Sequence, residues 1–350
     1  MLAPYKERAA RHPDGLVDLS IGTPVDPVPP LVRAALAAAA DSPGYPATHG
    51  TAAFREAAVD WLRRRHGVTG LHPDSVLPTI GSKELIAGLP ALLGLGAGDV
   101  VAHPAVAYPT YDVGARIAGA RAVPADSLTA LGPERVGLLW LNSPANPTGR
   151  VLPPEHLRKV VDWARERGTV LASDECYLEL GWEATPTSVL HPQVCGGRHD
   201  GLLAVHSLSK RSNLAGYRAG FVAGDPALVA ALLERRKHAG LMVPAPVQAA
   251  ATAALLDDEH AEAQRGRYAA RRALLRPALE AAGYNIEHSE AGLYLWATRG
   301  QDCWTSVAEL ADAGVLVAPG AFYGATGQRH VRVALTATDD HVAAAVTRLA

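Results

Sequence analysis

Short apolar runs alternate with stretches of helical spacing through the middle of the chain. Val76–Ile80, Val100–Ala102, Val136–Leu141, Val170–Ser173, Leu202–His206 and Gly220–Ala223 read as strands. Between most of them, Lys83–Leu95, Tyr111–Ala118, Glu155–Arg167 and Pro226–Arg236 carry the spacing of helices. Such alternation predicts a mostly parallel sheet with helices on both faces. Several of the runs are apolar throughout, as strands buried on both sides must be. Ligands of open sheets of this kind sit outside the carboxyl ends of the strands, which is where the chemistry is to be sought.

Beyond Val243 the texture changes. Pro244 and Pro246 interrupt the chain, and an Arg-rich helical stretch runs from about Glu259 to Ala282. Leu293–Ala297, Val315–Ala318 and His330–Leu335 read as strands, with a helix at Ser306–Ala313 and another closing the chain. This predicts a second, smaller α/β unit. The proline-studded segment up to about Pro30 is expected to have little structure of its own and to pack there. The expected division is a large domain over 31–258 and a small one from 1–30 with 259–350.

The chain has 350 residues, enough for two cores, with 48% hydrophobic and 19% charged residues. A formal net charge of -2 offers no basic face for nucleic acid or an anionic membrane. The lysines are only Lys6, Lys83, Lys159, Lys210 and Lys237, which narrows the search for a reactive amine. Cys176, Cys195 and Cys303 form no CxxC pair, and the N-terminus has no apolar leader. Val247–Leu256 falls short of the roughly 20 residues of a membrane span. A reducing, cytosolic location is expected. His191, Cys195 and His199 lie in a tract rich in Gly, Pro and Asp that reads as a loop, so no metal site is expected.

Three segments carry candidate chemistry. His206-Ser207-Leu208-Ser209-Lys210 places a lysine just after a buried strand, with Gly216-Tyr217-Arg218-Ala219-Gly220 downstream. A lysine that attacks an aldehyde must be neutral, so a desolvated site that lowers its pKa suits it. Arg218 and the hydroxyls of Ser207 and Ser209 could hold a phosphate beside that amine; a solvated loop lysine is the alternative. Asn142-Ser143-Pro144-Ala145-Asn146-Pro147-Thr148-Gly149 follows a strand and aims Asn146, although Asn-Pro and Thr-Gly are common in any turn. Asp174-Glu175-Cys176-Tyr177 follows another strand, where Asp174 could face a pyridinium nitrogen or simply cap a helix.

In this order and combination, the segments resemble the class I/II aminotransferases of the aspartate aminotransferase fold, fold type I of the pyridoxal-phosphate enzymes. The resemblance runs from about Leu19 to the end. It implies a large domain with a mostly parallel seven-stranded sheet between helices, plus a smaller α/β domain. It also implies pyridoxal 5′-phosphate, an amino acid and a 2-oxo acid as substrates, and a homodimer with shared active sites. Lys210 would carry the cofactor as a Schiff base and shuttle the Cα proton, and Asp174 would pair with the ring nitrogen. Asn146 and Tyr177 would bond the phenolic oxygen, and Tyr108 would stack on the ring. Ser207, Ser209, Arg218 and the turn Gly81-Ser82-Lys83 would hold the phosphate. Arg332 would bind the substrate α-carboxylate, Gly22 would line the substrate pocket, and Tyr45 would reach the neighbouring subunit's phosphate.

Finer details resemble the actinobacterial succinyldiaminopimelate aminotransferases of lysine biosynthesis. They are Ala107-Tyr108-Pro109-Thr110-Tyr111-Asp112-Val113-Gly114-Ala115-Arg116, Ser173-Asp174-Glu175-Cys176-Tyr177-Leu178-Glu179-Leu180-Gly181-Trp182 and Gly292-Leu293-Tyr294-Leu295-Trp296. Lys83 is then the candidate for a distal carboxylate. Another aminotransferase specificity, for aspartate or aromatic substrates, and a C–S β-lyase on the same fold are the alternatives.

Overall fold

The computed structural model describes residues 1–350. Its strands in chain order are β1 Val17–Asp18, β2 Val76–Ile80, β3 Val100–His103, β4 Arg121–Pro124, β5 Val136–Asn142, β6 Val170–Asp174, β7 Leu202–Ser207 and β8 Ala219–Gly224. They continue with β9 Asn285–Glu287, β10 Tyr294–Thr298, β11 Val315–Leu316, β12 Ala318–Pro319 and β13 Val331–Ala334. A seven-stranded sheet has the order β2-β8-β7-β6-β5-β3-β4, and β8 runs antiparallel to both of its neighbours while the other pairs are parallel.

Side chains of this sheet alternate between two cores, as a period of two requires. On β7, Leu202 and Ala204 join the core under the helix Ala52–His66, and Leu203 and Val205 join the opposite one. On β5, Leu139 and Leu141 face the first core, and Leu138 and Trp140 the second. The helices present matching stripes. Pro154–Arg167 starts on a proline, buries Leu157, Val160, Val161 and Ala164, and stops at Gly168 with φ 64.

A separate core belongs to the four-stranded antiparallel sheet β12-β13-β10-β9. The long helix Glu259–Ala281 contributes Tyr268, Leu275 and Leu279 to it. The N-terminal segment departs from the expectation of little structure. Ala3–Ala9 is helical, since Pro4 falls in the first turn where its missing N–H costs nothing, and β1 pairs in parallel with β11. The run Val315–Ala318 likewise splits into β11 and β12, which belong to different sheets. No helix is long and apolar enough to cross a membrane.

Register fixes what meets at the carboxyl edge of the large sheet. Asn142 lies beside Asp174, Asp174 beside Val205, Ser207 beside Gly220, and Ile80 beside Ala219. Because β8 is reversed, its beginning, just after Arg218, falls at the same edge as the ends of β2 and β7.

Candidate active site

A cavity of about 510 Å³ opens at that edge and reaches the small sheet. Lys210, Asp174, Asn146, Tyr177 and Arg332 line it together, although they come from separate stretches of chain. Gly22, Ser82, Lys83, Tyr108, Ser209 and Arg218 complete most of the wall. Of the residues singled out from sequence, Gly81, Ser207 and Tyr45 do not line it. Gly81 (φ 70) lies directly behind the wall, and a Cβ there would collide with the Arg218 guanidinium. Ser207 is turned to the backbone, accepting from the Ser209 N–H at 3.2 Å. Tyr45 is 97% exposed and is not among the residues that line this chain's own cavity.

Each wall residue is held by identifiable contacts. Asn142 donates to the carbonyls of Pro144 (3.1 Å) and Asp174 (2.9 Å) and accepts from the Asn146 N–H (2.7 Å), tying the Asn146 turn to β6. Asp174 accepts from the hydroxyl of Tyr111 at 2.8 Å and from the Cys176 N–H at 3.2 Å. Tyr111 is fully buried, stacks on Trp140 at 5.0 Å and meets the edge of Tyr108 at 5.8 Å. Arg332 donates to Asn146 Oδ1 (3.0 Å) and to the Ser20 carbonyl (2.8 Å), with the Tyr294 ring 3.9 Å from its guanidinium carbon. Arg218 adopts φ 57, uncommon for a side chain with a Cβ, and donates to the Ala215 carbonyl at 2.8 Å.

Burial pushes the Lys210 amine down, as the sequence argument expects, but the acidic groups of Cys176, Tyr294, Asp174 and Tyr108 outweigh it. The amine therefore sits above the ordinary lysine range. Its Nζ lies 5.5 Å from the centroid of the Tyr177 ring. Burial also drives the Tyr111 and Tyr177 hydroxyls well above the usual phenol range, so both remain hydrogen-bond donors. Away from the cavity, Cys195 closes the short helix Pro192–Cys195 and its thiol donates to the Leu190 carbonyl at 3.3 Å.

Sequence reasoning named Tyr111, Tyr294 and Cys176 only as parts of motifs and missed them as site residues. Tyr111 was legible as a second tyrosine three residues after Tyr108 at a helix start. For Tyr294 the signal was weaker, a strand tyrosine following Gly292.

Residues 14–349 match the family model for aminotransferase class I and II, and the chain belongs to that family. Among its relatives is 4-dedimethylamino-4-oxo-anhydrotetracycline transaminase OxyQ of Streptomyces rimosus, 64% identical over 100% of this chain and 97% of that one. Probable aminotransferase Rv1178 of Mycobacterium tuberculosis is 66% identical over 99% of this chain and 83% of its own length. Among solved structures, a probable N-succinyldiaminopimelate aminotransferase from Thermus thermophilus superposes with a TM-score of 0.88 at 32% identity, covering 99% and 98% of the two chains. Family members use pyridoxal 5′-phosphate, act on amino acids and 2-oxo acids, and are typically dimers.

The cavity suits that cofactor chemically. An amine and a buried carboxylate line the same space. The backbone at Gly81 and Ser82 opens the helix Gly81–Leu92 beside the Arg218 guanidinium, which makes an anion cradle that any side chain at Gly81 would fill.

Proposed function

We propose that the chain transfers the amino group of glutamate to N-succinyl-2-amino-6-oxopimelate, a reaction of diaminopimelate and lysine biosynthesis. The observation that carries amino transfer is the meeting of Lys210, Asp174 and Arg332 on one cavity. The name of the Thermus thermophilus structure and the position of Lys83 on the rim support the substrate. Both substrates have a distal carboxylate, and Lys83 is an exposed cation whose Nζ lies 5.7 Å from the Tyr108 ring centroid.

When bound, pyridoxal 5′-phosphate supplies a protonated ring that takes up the electron pair left as the Cα–H bond breaks. Lys210 would hold the cofactor aldehyde, and its amine is the group on this cavity that would take the Cα proton and return it. Asp174, its carboxylate fixed by the Tyr111 hydroxyl, would keep a proton on the ring nitrogen. Asn146 and Tyr177 would donate to the phenolic oxygen, and Tyr108 would pack on the ring. Ser209, Arg218 and the backbone of Gly81, Ser82 and Lys83 would hold the phosphate, with Ser207 behind them accepting from the Ser209 N–H. Arg332 clamps the α-carboxylate with a fork that Asn146 and the Ser20 carbonyl already orient. Gly22 leaves room for Tyr294 beside it. Tyr45 reaches the phosphate of a second copy of this chain.

The test is a donor and acceptor panel with purified enzyme, following glutamate consumption and, separately, pyruvate release from cystathionine. The succinylated oxo acid is expected to exceed oxaloacetate and arylpyruvates in kcat/KM by roughly tenfold or more, the scale of one charge-assisted contact. Equal or lower activity with it would refute the substrate. The 64% identity to OxyQ supports a second reading, in which the acceptor is a ring ketone of a polycyclic compound, so such a ketone belongs in the panel. Lys83→Ala is expected to raise the KM for glutamate by roughly tenfold; an unchanged KM would remove Lys83 from that role.

A further inference from the structure

Glu175, His206 and Arg211 are the immediate chain neighbours of Asp174, Ser207 and Lys210, and all three are buried. They meet on a small cavity lined also by Trp61, Glu179 and Ser207, whose volume is about 10 Å³. Each brings a buried polar atom that has no hydrogen-bond partner in the chain. These are Glu175 Oε2, both ring nitrogens of His206, and Arg211 Nη2. Their other atoms are taken. Glu175 Oε1 accepts from the Val189 N–H at 2.8 Å, Arg211 Nε donates to Glu179, and Arg211 Nη1 donates to the Ala254 carbonyl at 2.8 Å.

An unpartnered buried polar atom costs about 1–3 kcal/mol, so three side chains that bring such atoms to one space call for a shared partner. His206 Nε2 and Glu175 Oε2 are 3.6 Å apart, too far for a direct bond. The space is that of a single water, which needs roughly 10–15 Å³ and makes about three hydrogen bonds. We propose that a water molecule is bound here between Glu175, His206 and Arg211, and that this node positions Asp174, Ser207 and Lys210 from behind. Arg211 Nη2 donates to the water, and the water donates to a ring nitrogen of His206. Its link to Glu175 runs from the acid while Glu175 is protonated, and toward the carboxylate otherwise. Burial holds His206 neutral, down to about 3, and raises Glu175 to about 7, consistent with both arrangements.

The positioning part rests on the roles proposed above for Asp174, Ser207 and Lys210; the water does not. A crystal structure of the cofactor-loaded enzyme, at a resolution that shows ordered solvent, is expected to place one water within about 3.2 Å of all three groups. Direct contact of Glu175 with His206, with no density between them, would overturn the site. For positioning, Glu175→Gln keeps the volume, and Arg211→Lys keeps a cation but loses Nη2. Each is expected to lower kcat about tenfold with KM within twofold, and to shift the absorption maximum of the bound cofactor. An unchanged spectrum, whether kcat falls or not, would overturn the positioning role. Should one variant fail to fold, the other and the wild-type structure still decide. Failure of the functional reading would show separately, as no amino transfer by the wild-type enzyme.

Discussion

Two single-residue contacts make the proposed chemistry testable without touching Lys210. Tyr111 donates to Asp174 at 2.8 Å in full burial, so Tyr111→Phe removes one hydroxyl while the stack on Trp140 stays. The carboxylate then loses a buried donor worth about 1–3 kcal/mol. Spectral titration of the cofactor-free protein with pyridoxal 5′-phosphate is expected to show affinity weakened by roughly tenfold, on the scale of that loss. Unchanged affinity would mean that Tyr111 does not orient Asp174. Gly22 is constrained by space, since an added Cβ would collide with the Tyr294 hydroxyl. Tyr294 lies against the Arg332 guanidinium. Gly22→Ala should therefore displace the carboxylate clamp and raise the KM for amino acids by roughly tenfold or more, given how steeply activity depends on an ångström of misplacement. Steady-state kinetics with kcat and KM resolved check it.

At the scale of elements, buried Glu175 and His206 and half-buried His66 and Glu179 gather around Trp61 of the helix Ala52–His66. Burial lowers His66 to about 4 and His206 to about 3. A histidine depressed in the fold contributes stability that is complete above its unfolded pKa, near 6.5, and is lost as pH falls toward the folded value. Glu179 is the same in sign. Burial raises it, but Arg211, His66 and Arg65 together bring it down to about 2, so its contribution fades from about 4.5 downward. Glu175, held up to about 7 by burial, contributes below about 4.5 and loses that contribution as pH rises through 7. Thermal melts across pH are thus expected to show stability declining from about 6.5 toward 4, and His66→Asn should flatten that limb; an unflattened limb would contradict the assignment. None of this cluster was legible in the sequence, where His66 and His206 look like any other histidines. The strands were legible, because β5, β6 and β7 are apolar runs ending in Asn142, Asp174 and Ser207. The helix Ala3–Ala9 and the strand β4 were not: a proline hid the first, and the second is a half-exposed edge with no apolar alternation. The site residues stood out through motif order, while the contacts that orient them depend on register between distant segments.

For the whole molecule, the exposed apolar residues are informative. Tyr45 is 97% exposed, and Ile21 at 59%, Val25 at 51% and Leu31 at 38% are also uncovered. We propose that a second copy covers them and that each site borrows the other's Tyr45. Neither Tyr45→Ala nor Lys210→Ala alone should support normal turnover. Hybrids of the two should regain activity, because one of their two sites contains both native residues; no recovery would exclude a shared site. Amino transfer here depends on one amine, among five lysines, bonding covalently to the cofactor. Borohydride reduction of the cofactor-loaded enzyme, followed by peptide mass mapping, addresses it most directly. A single modified lysine, Lys210, is expected; label at Lys83, or on no lysine, would remove Lys210 from that role.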